Sequence, residues 1–395
     1  MTSTKTGIKA LAAPVKGRLP AALRSAAALL LCAFPAAAGG PGSAGVQVLK
    51  NDFSPRAAGM GGAFAAVADD AYASVYNPAG LGQLYMPEAS AMYYSGFEDS
   101  SLQHLSFVLP LQFQGLAGYD KPGFGVSALF SDGGKFVYRP IGAGGTVGEY
   151  SMDAESTKVL ALSYGEKVFA GEVNLEGYKA NMEQYLGLSA KYVGSELLQT
   201  YSASAFAIDG GWLMRDLNSG LSMGVSLSNF GSGLKYYKED TPLPSILRVG
   251  AAWQPPTVMS QSLLLAVDLD MYLQEQLKSL RAGLEYHFQD MFSFRLGYKG
   301  MDDNKGLALG LGVHYESFAL DFGMSVAGEV YNTSQVSFSY KFAGWRTAEL
   351  KKKAREFRAP PPEPEKKQPA ARPGAKPAGK PSAKPKTDSD FFWIY

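Results

Sequence analysis

The chain has one cysteine and three histidines in 395 residues. Cys32 stands alone near the N-terminus, so the rest of the chain has no disulfide framework and no thiol chemistry. His104, His287 and His314 show no zinc-ligand spacing, and no EF-hand pattern occurs. No metal, no cofactor and no nucleic-acid partner is therefore expected. Gly59-Met60-Gly61-Gly62 invites comparison with a phosphate loop, but no strand precedes it and no Lys-Ser/Thr follows. After the N-terminal leader no segment approaches 18 continuous apolar residues. If the chain enters a membrane, it enters as strands.

Charge is unevenly placed. Five of the 37 Lys and Arg fall in residues 1–38, which hold no acid, and 13 fall in 346–395 beside 6 acids. The body between them keeps 19 cations against 30 acids, a net of −11 between two basic ends. Residues 1–38 have the order of a secretory signal peptide: a basic stretch to Arg24, an apolar run from Ala26 to Phe34, then small residues at Ala36-Ala37-Ala38. The run is too short to cross a bilayer.

What the chain does contain is glycine and aromatics in quantity, with Gly 45, Tyr 22 and Phe 22. In the second half they fall into a repeating pattern. Leu307, Leu309, Leu311, Val313 and Tyr315 alternate with Ala308, Gly310, Gly312, His314 and Glu316. Phe318, Leu320, Phe322 and Met324 alternate with Ala319, Asp321, Gly323 and Ser325. Phe292, Phe294, Leu296 and Tyr298 alternate with Ser293, Arg295, Gly297 and Lys299, and Ala282, Leu284, Tyr286 and Phe288 with Arg281, Gly283, Glu285 and His287. Successive strand residues point to opposite faces, so each segment has one apolar face and one polar or small face. Segments of roughly 9–11 residues suffice to cross a bilayer as tilted strands. A soluble β-sandwich also alternates, but a face of Gly, Ser and scattered charge is a poor outer surface and a good lumen. The expected fold is all-β: a transmembrane antiparallel up-and-down barrel of about fourteen strands over residues 87–342. Short turns at Asp216–Asn218, Gln289-Asp290 and Glu316-Ser317 fall on the periplasmic side, and longer links such as 132–155 and 230–244 fall outside. The link 166–182 breaks that rule. Arg281, Glu285, His287, Arg295, His314 and Asp321 are expected to face the lumen. Ser293 and Ser325 share that face, so a Ser-His-acid arrangement is conceivable. The plainer reading is polar lumen residues and no enzyme.

Residues 39–86 precede the strands and carry three blocks: Arg56-Ala57-Ala58-Gly59-Met60-Gly61-Gly62-Ala63-Phe64, Val67-Ala68-Asp69-Asp70-Ala71, and Tyr76-Asn77-Pro78-Ala79-Gly80-Leu81. Read alone this is a Gly/Ala-rich loop in which Asp69 and Asp70 can cap a short helix and Asn77-Pro78 starts a turn. The blocks closely resemble the N-terminus of the PorV/PorQ proteins, within the wider FadL-like outer-membrane transporter superfamily. The resemblance runs on to Phe342, covering roughly residues 46–342. It implies that this segment folds back into the lumen as a hatch. It also implies one of two roles: a barrel linked to type IX secretion or envelope assembly, with secretion proteins or exported cargo as partners, or a channel for small hydrophobic molecules.

After Phe342 the strand pattern stops, and 9 of the 23 prolines fall between Pro360 and Pro385. Such a stretch forms a semi-rigid polyproline-type spacer. It ends in Phe391-Phe392-Trp393-Ile394-Tyr395, an apolar cluster able to dock on a periplasmic partner. Cell outer membrane is the expected location, with membrane lipid around the barrel.

Overall fold

Segments that alternate can pair edge to edge until no free edge remains, and here they do. The computed structural model describes residues 39–342 apart from 97–98, 147, 176–177, 256–260, 302–304 and 328–331. The expected signal peptide, the tail 343–395 and Asp302-Asp303-Asn304 lie outside the described residues.

Fourteen strands form a closed antiparallel barrel in simple chain order. They are β1 Glu88–Ser95, β2 Ser101–Pro110, β3 Gly123–Asp132, β4 Glu155–Leu175, β5 Tyr178–Leu197, β6 Tyr201–Asp216 and β7 Leu221–Gly231. There follow β8 Ile246–Trp253, β9 Gln261–Tyr272, β10 Leu277–Phe288, β11 Phe292–Gly300, β12 Gly306–Tyr315, β13 Phe318–Ala327 and β14 Thr333–Lys341. Pairing of β1 with β14, from Glu88↔Lys341 to Ser95↔Ser334, closes the ring. Closure satisfies every edge, which a strand wall in hydrocarbon requires. No helix among the described residues is long and apolar enough to cross a membrane.

The period-two pattern sets the two faces. On β12 Leu309 is 48% exposed while its neighbour Ala308 is 2% exposed. Tyr93, Phe130, Tyr192, Phe292, Phe294, Tyr298 and Phe318 join a continuous apolar exterior. An apolar outer belt with aromatic ends on a closed barrel is an outer-membrane wall.

Tight turns such as 289–291, where Gln289 and Asp290 both take positive φ, lie at the end where β1 begins and β14 stops. The hairpin arm between β3 and β4 and the link 232–245 rise from the other end. Short turns mark the periplasmic end. The segment 166–182 proves not to be a link. β4 and β5 are 21 and 20 residues long and pair on past the end of β3 as far as Leu175↔Tyr178. The alternation is masked there because a bulge at Lys167/Phe169 shifts the register, and bulges break period two. With that link removed, the connection 111–122 between β2 and β3 is still a long one at the periplasmic end, and 198–200 between β5 and β6 is a short one at the outer end.

Inside the wall, residues 43–87 form the plug. It consists of a 3₁₀ turn at Gln47–Lys50, the short helices α1 Pro55–Gly59 and α2 Ala73–Tyr76, and a second 3₁₀ turn at Pro78–Gln83. Ser54 caps α1 through Ala57 N–H, and Pro55 sits where its missing donor costs nothing. Ala57, Met60, Ala63, Phe64, Ala65 and Ala68 have no solvent exposure.

Candidate functional site in the plugged lumen

The plug is held at three levels. At the outer mouth Gly45 N–H donates to Pro242 O at 2.9 Å, and Gln47 Nε2 donates to Glu275 Oε1 at 3.2 Å. Lys50 Nζ pairs with the same carboxylate. Between them Val46 sits at φ 48 and is 4% exposed. A β-branched residue in the left-handed region is strained by about 1–3 kcal/mol, so the contacts around this leading segment must hold it there.

At mid-height the contacts are charged. Arg281 Nη1 donates to Asp52 Oδ1 at 2.6 Å, and Lys299 Nζ reaches Asp52 Oδ2 at 3.3 Å. Arg281 also pairs with Asp270 at 2.9 Å, and Arg248 pairs with Asp270 at 3.3 Å. Burial pushes the Asp52 carboxyl up, but Lys299 and Arg281 outweigh it and hold it well below the usual carboxylate range. A second ladder starts at Arg56, whose guanidinium grips Glu285 at 2.9 and 2.7 Å. Arg295 donates to Glu285 Oε1 at 2.7 Å and to Asp321 Oδ1 at 2.7 Å. The two ladders join plug to wall from β8 to β13. Buried ions unpaired in this way would each cost several kcal/mol, which is why they occur as chains.

The glycine block lies between the ladders. Gly61, at φ +66, runs against β11, where a Cβ on Gly297 would stand 2.1 Å from Gly61 N. Only glycine on the wall and a left-handed glycine on the plug permit that approach. Gly59 meets Gly310 in the same way, Gly62 packs on Arg281, and Met60 lies over Gly283. Beyond the block, Asp268 Oδ2 accepts from Phe64 N–H and Ala65 N–H, both at 2.7 Å.

At the periplasmic end Asn77 is extended, at φ −155, and its side chain donates to Ala65 O at 2.8 Å and Trp212 O at 3.1 Å. Its Oδ1 accepts from Ala79 N–H at 3.2 Å, starting the turn at Pro78. Asp70 Oδ1 accepts from Tyr72 N–H at 2.9 Å, just before α2, whereas Asp69 turns to Arg56. Neither aspartate caps α2 itself, whose N-cap position is Tyr72 with no side-chain cap; Asp70 closes the turn that leads into it. Burial pushes Asp70 up to about 6 against the pull of Arg56, which lies 3.2 Å away. A polar cavity of about 250 Å³ opens here beside Asp69, Arg215, Asp216 and Gln254.

Arg281, Glu285, Arg295 and Asp321 are each buried inside the wall and held in ion pairs. His287 and His314 come together near the periplasmic rim, with ring centroids 5.7 Å apart. Ser293 Oγ lies 2.7 Å from His287 Nδ1, and Glu285 lies 3.3 Å from His287 Nε2. This has the parts of a nucleophile relay. Ser293 is 1% exposed, however, and Glu285 is already held by two guanidinium groups, so the hydroxyl is shielded from an incoming carbonyl. Among the described residues no group of three or more His, Cys, Asp or Glu is placed to hold a metal ion.

Sequence reasoning missed Asp52, Arg248, Asp268, Asp270 and Lys299. Four of these fall on the inward period of their strands, so their facing was legible but their partners were not. Asp52 precedes the glycine block with no periodic signal. The opposite inner wall was also missed. There Met92, Leu102, Leu129, Val159, Val193 and Ala205 form one apolar cluster with Leu49, Phe53, Tyr72 and Tyr76 of the plug.

No protein-family model matches the sequence, and no curated protein matches it. Solved structures of similar architecture include the toluene transporter TbuX of Ralstonia pickettii, at 14% identity and TM-score 0.46, covering 73% of this chain and 98% of that one. The toluene transporter TodX of P. putida aligns at 10% identity and TM-score 0.45, over 72% and 97%. A FadL homologue of Pseudomonas aeruginosa aligns at 12% identity and TM-score 0.43, over 72% and 98%.

Proposed function

We propose that this barrel is an outer-membrane channel for small hydrophobic molecules, held shut by its plug. The observation that carries the reading is the apolar half of the lumen. A water-filled pore is lined by polar side chains. Here β1 to β6 present a connected apolar surface, and the plug covers it with Leu49, Phe53, Tyr72 and Tyr76. A molecule that competes for that surface gains hydrophobic contact where water gains none. TbuX and TodX are toluene transporters, and toluene is a sensible first probe.

The test locks the plug. Gly45→Cys with Thr241→Cys links the leading segment to the outer link, because a Gly45 Cβ would lie 2.9 Å from Thr241 Cγ2. Toluene uptake by cells carrying the oxidised pair is expected to fall to the level of cells lacking the barrel, and reduction should restore it. Equal uptake in oxidised and reduced cells would sink the channel reading.

A PorV/PorQ-like platform for exported proteins is the second reading. It is favoured by a plug wedged so closely that wall and plug backbones touch at Gly61 and Gly297. It predicts unchanged toluene uptake and the loss of exported proteins from the surface of cells lacking the barrel. A non-enzymatic role rests on the burial of Ser293. Measurable ester hydrolysis lost in Ser293→Ala would contradict it.

A further inference from the structure

Where β14, β1 and β2 meet, the inner wall carries polar groups that the plug covers without pairing. Met92 of β1 stands in register between Ser337 of β14 and His104 of β2, and Ser90 is the next inward residue on β1. Ser90 is 6% exposed, His104 1% and Ser337 2%. Both serine hydroxyls and both His104 ring nitrogens have no hydrogen-bond partner among the described residues. Tyr72 of the plug lies over them. Its ring centroid is 5.6 Å from that of His104, and its hydroxyl faces those of Ser90 and Ser337 without bonding to either. A buried polar atom left unpaired costs more than a made bond returns, so such atoms are rare and scattered. Here they share one patch. The chain on the N-terminal side of Tyr72 shows why. Ala71 O accepts from Ser106 Oγ at 2.9 Å, and Tyr72 N–H donates to Asp70 Oδ1 at 2.9 Å. The backbone is pinned, so the ring fills the space while its hydroxyl stays out of bonding position.

We infer that this patch is a binding site for a small phenol, which takes the place of the Tyr72 ring. The plug side chain defines the occupant: an aromatic ring carrying one hydroxyl. A free molecule is not tethered at its far end and can bring its hydroxyl into line. A neutral imidazole offers one donor and one acceptor, and each serine hydroxyl offers both. The phenol O–H therefore finds an acceptor, and its oxygen finds a donor. A plain hydrocarbon of the same shape leaves every one of these wall atoms unpaired. A carboxylate brings a charge that serine and neutral histidine do not balance. The inference deepens the channel reading by naming hydroxylated aromatics as the preferred cargo, and their passage rests on that reading.

The experiment separates binding from passage. The probes are p-cresol, which is the tyrosine side chain without its backbone, and toluene, which is p-cresol without the hydroxyl. With the full chain in lipid vesicles, protease cleavage within residues 43–87 reports displacement of the plug. Half-maximal cleavage is expected at about tenfold lower p-cresol than toluene. Toluene is the more hydrophobic of the two, so partition into lipid alone gives the reverse order. Ser90→Ala combined with Ser337→Ala removes two unpaired hydroxyls and should bring the ratio to about one. Heat-modifiable gel mobility checks that the variant is a folded barrel, and His104→Phe, which removes the imidazole instead, should lower the ratio as well. Equal concentrations of the two probes in the unaltered chain would overturn the site, and so would a tenfold ratio that survives both variants. In cells, barrel-dependent uptake of p-cresol should exceed that of toluene by a similar factor. If neither compound shows barrel-dependent uptake while the cleavage ratio holds, the channel reading fails and the phenol site stands.

Discussion

The two halves of the lumen wall are built on opposite principles. From β8 to β13 the inward side chains are arginines and acids with glycine between them, and the plug meets them with Asp52, Arg56 and its glycine block. From β1 to β6 the inward row is largely Leu, Val, Ala and Ser, and the plug meets it with aromatic and branched side chains. Direction and register come from the first half, because a bidentate guanidinium or a glycine-glycine contact tolerates little displacement. The second half is non-directional and tolerates exchange, which is what a site for changing hydrophobic occupants requires. The contrast is not absolute: Lys191 and Asp209 pair at 2.6 Å on the apolar side.

The sharpest way to break this comparison is to unpair the charged half. Arg281→Ala leaves Asp52 and Asp270 buried beside fewer cations. Such a loss costs about 3–5 kcal/mol. Urea unfolding in lipid vesicles should show it, together with protease access to residues 43–60. A loss under about 1 kcal/mol would mean that the ladders do not anchor the plug. Leu102→Ala, in the other half, removes a side chain that is 1% exposed. It should cost about 2–4 kcal/mol in the same assay, by cavity formation. The distinguishing outcome is function: toluene uptake should change with Leu102→Ala far more than the plug's protease protection does. If both variants release the plug equally, the division of labour between the halves fails.

A smaller effect is expected of Gly297→Ala. It adds one methyl where the plug backbone already touches β11. Overpacking of this kind costs about 1–3 kcal/mol. The strain should appear as plug mobility, read by proteolysis, with the wall's unfolding midpoint little changed. A midpoint drop equal to that of Arg281→Ala would show that plug and wall unfold as one unit.

The two halves also differ in how far the sequence discloses them. The wall was legible because strand facing has period two and lipid demands one apolar face. His287, Arg295 and Asp321 could be turned inward by counting alone. The hairpin 166–182 was not legible, because the bulge at Lys167 shifts the count by one. Partners across the lumen were not legible either. Arg56 and Glu285 are 229 residues apart, and nothing local in either strand or loop names the other. The glycine block was visible as a composition and could be assigned to close approach, yet its counterparts Gly283, Gly297 and Gly310 read simply as small lumen residues. The apolar half was hardest. Its inward Leu and Val break the apolar-out, polar-in pattern that identified the strands, so the signal that found the wall concealed this face.

The smallest expected effect is one of pH, and it tests which half Asp70 serves. Asp70 is 7% exposed and stands 3.2 Å from Arg56. Burial pushes its carboxyl up to about 6 in the docked plug. Released from the lumen, it returns to the ordinary value near 3.8. A group whose pKa is raised in the docked state stabilises docking fully below the ordinary value. That contribution is lost as pH rises through about 6. Plug protection from protease should therefore weaken between about pH 4 and 6 and level off above, and Asp70→Asn should flatten the curve at its acid-side level. The opposite slope, with protection rising over that window, would mean that the ion pair with Arg56 outweighs burial. Asp70 would then belong with Asp52 and Glu285 as a third rung of the charged half.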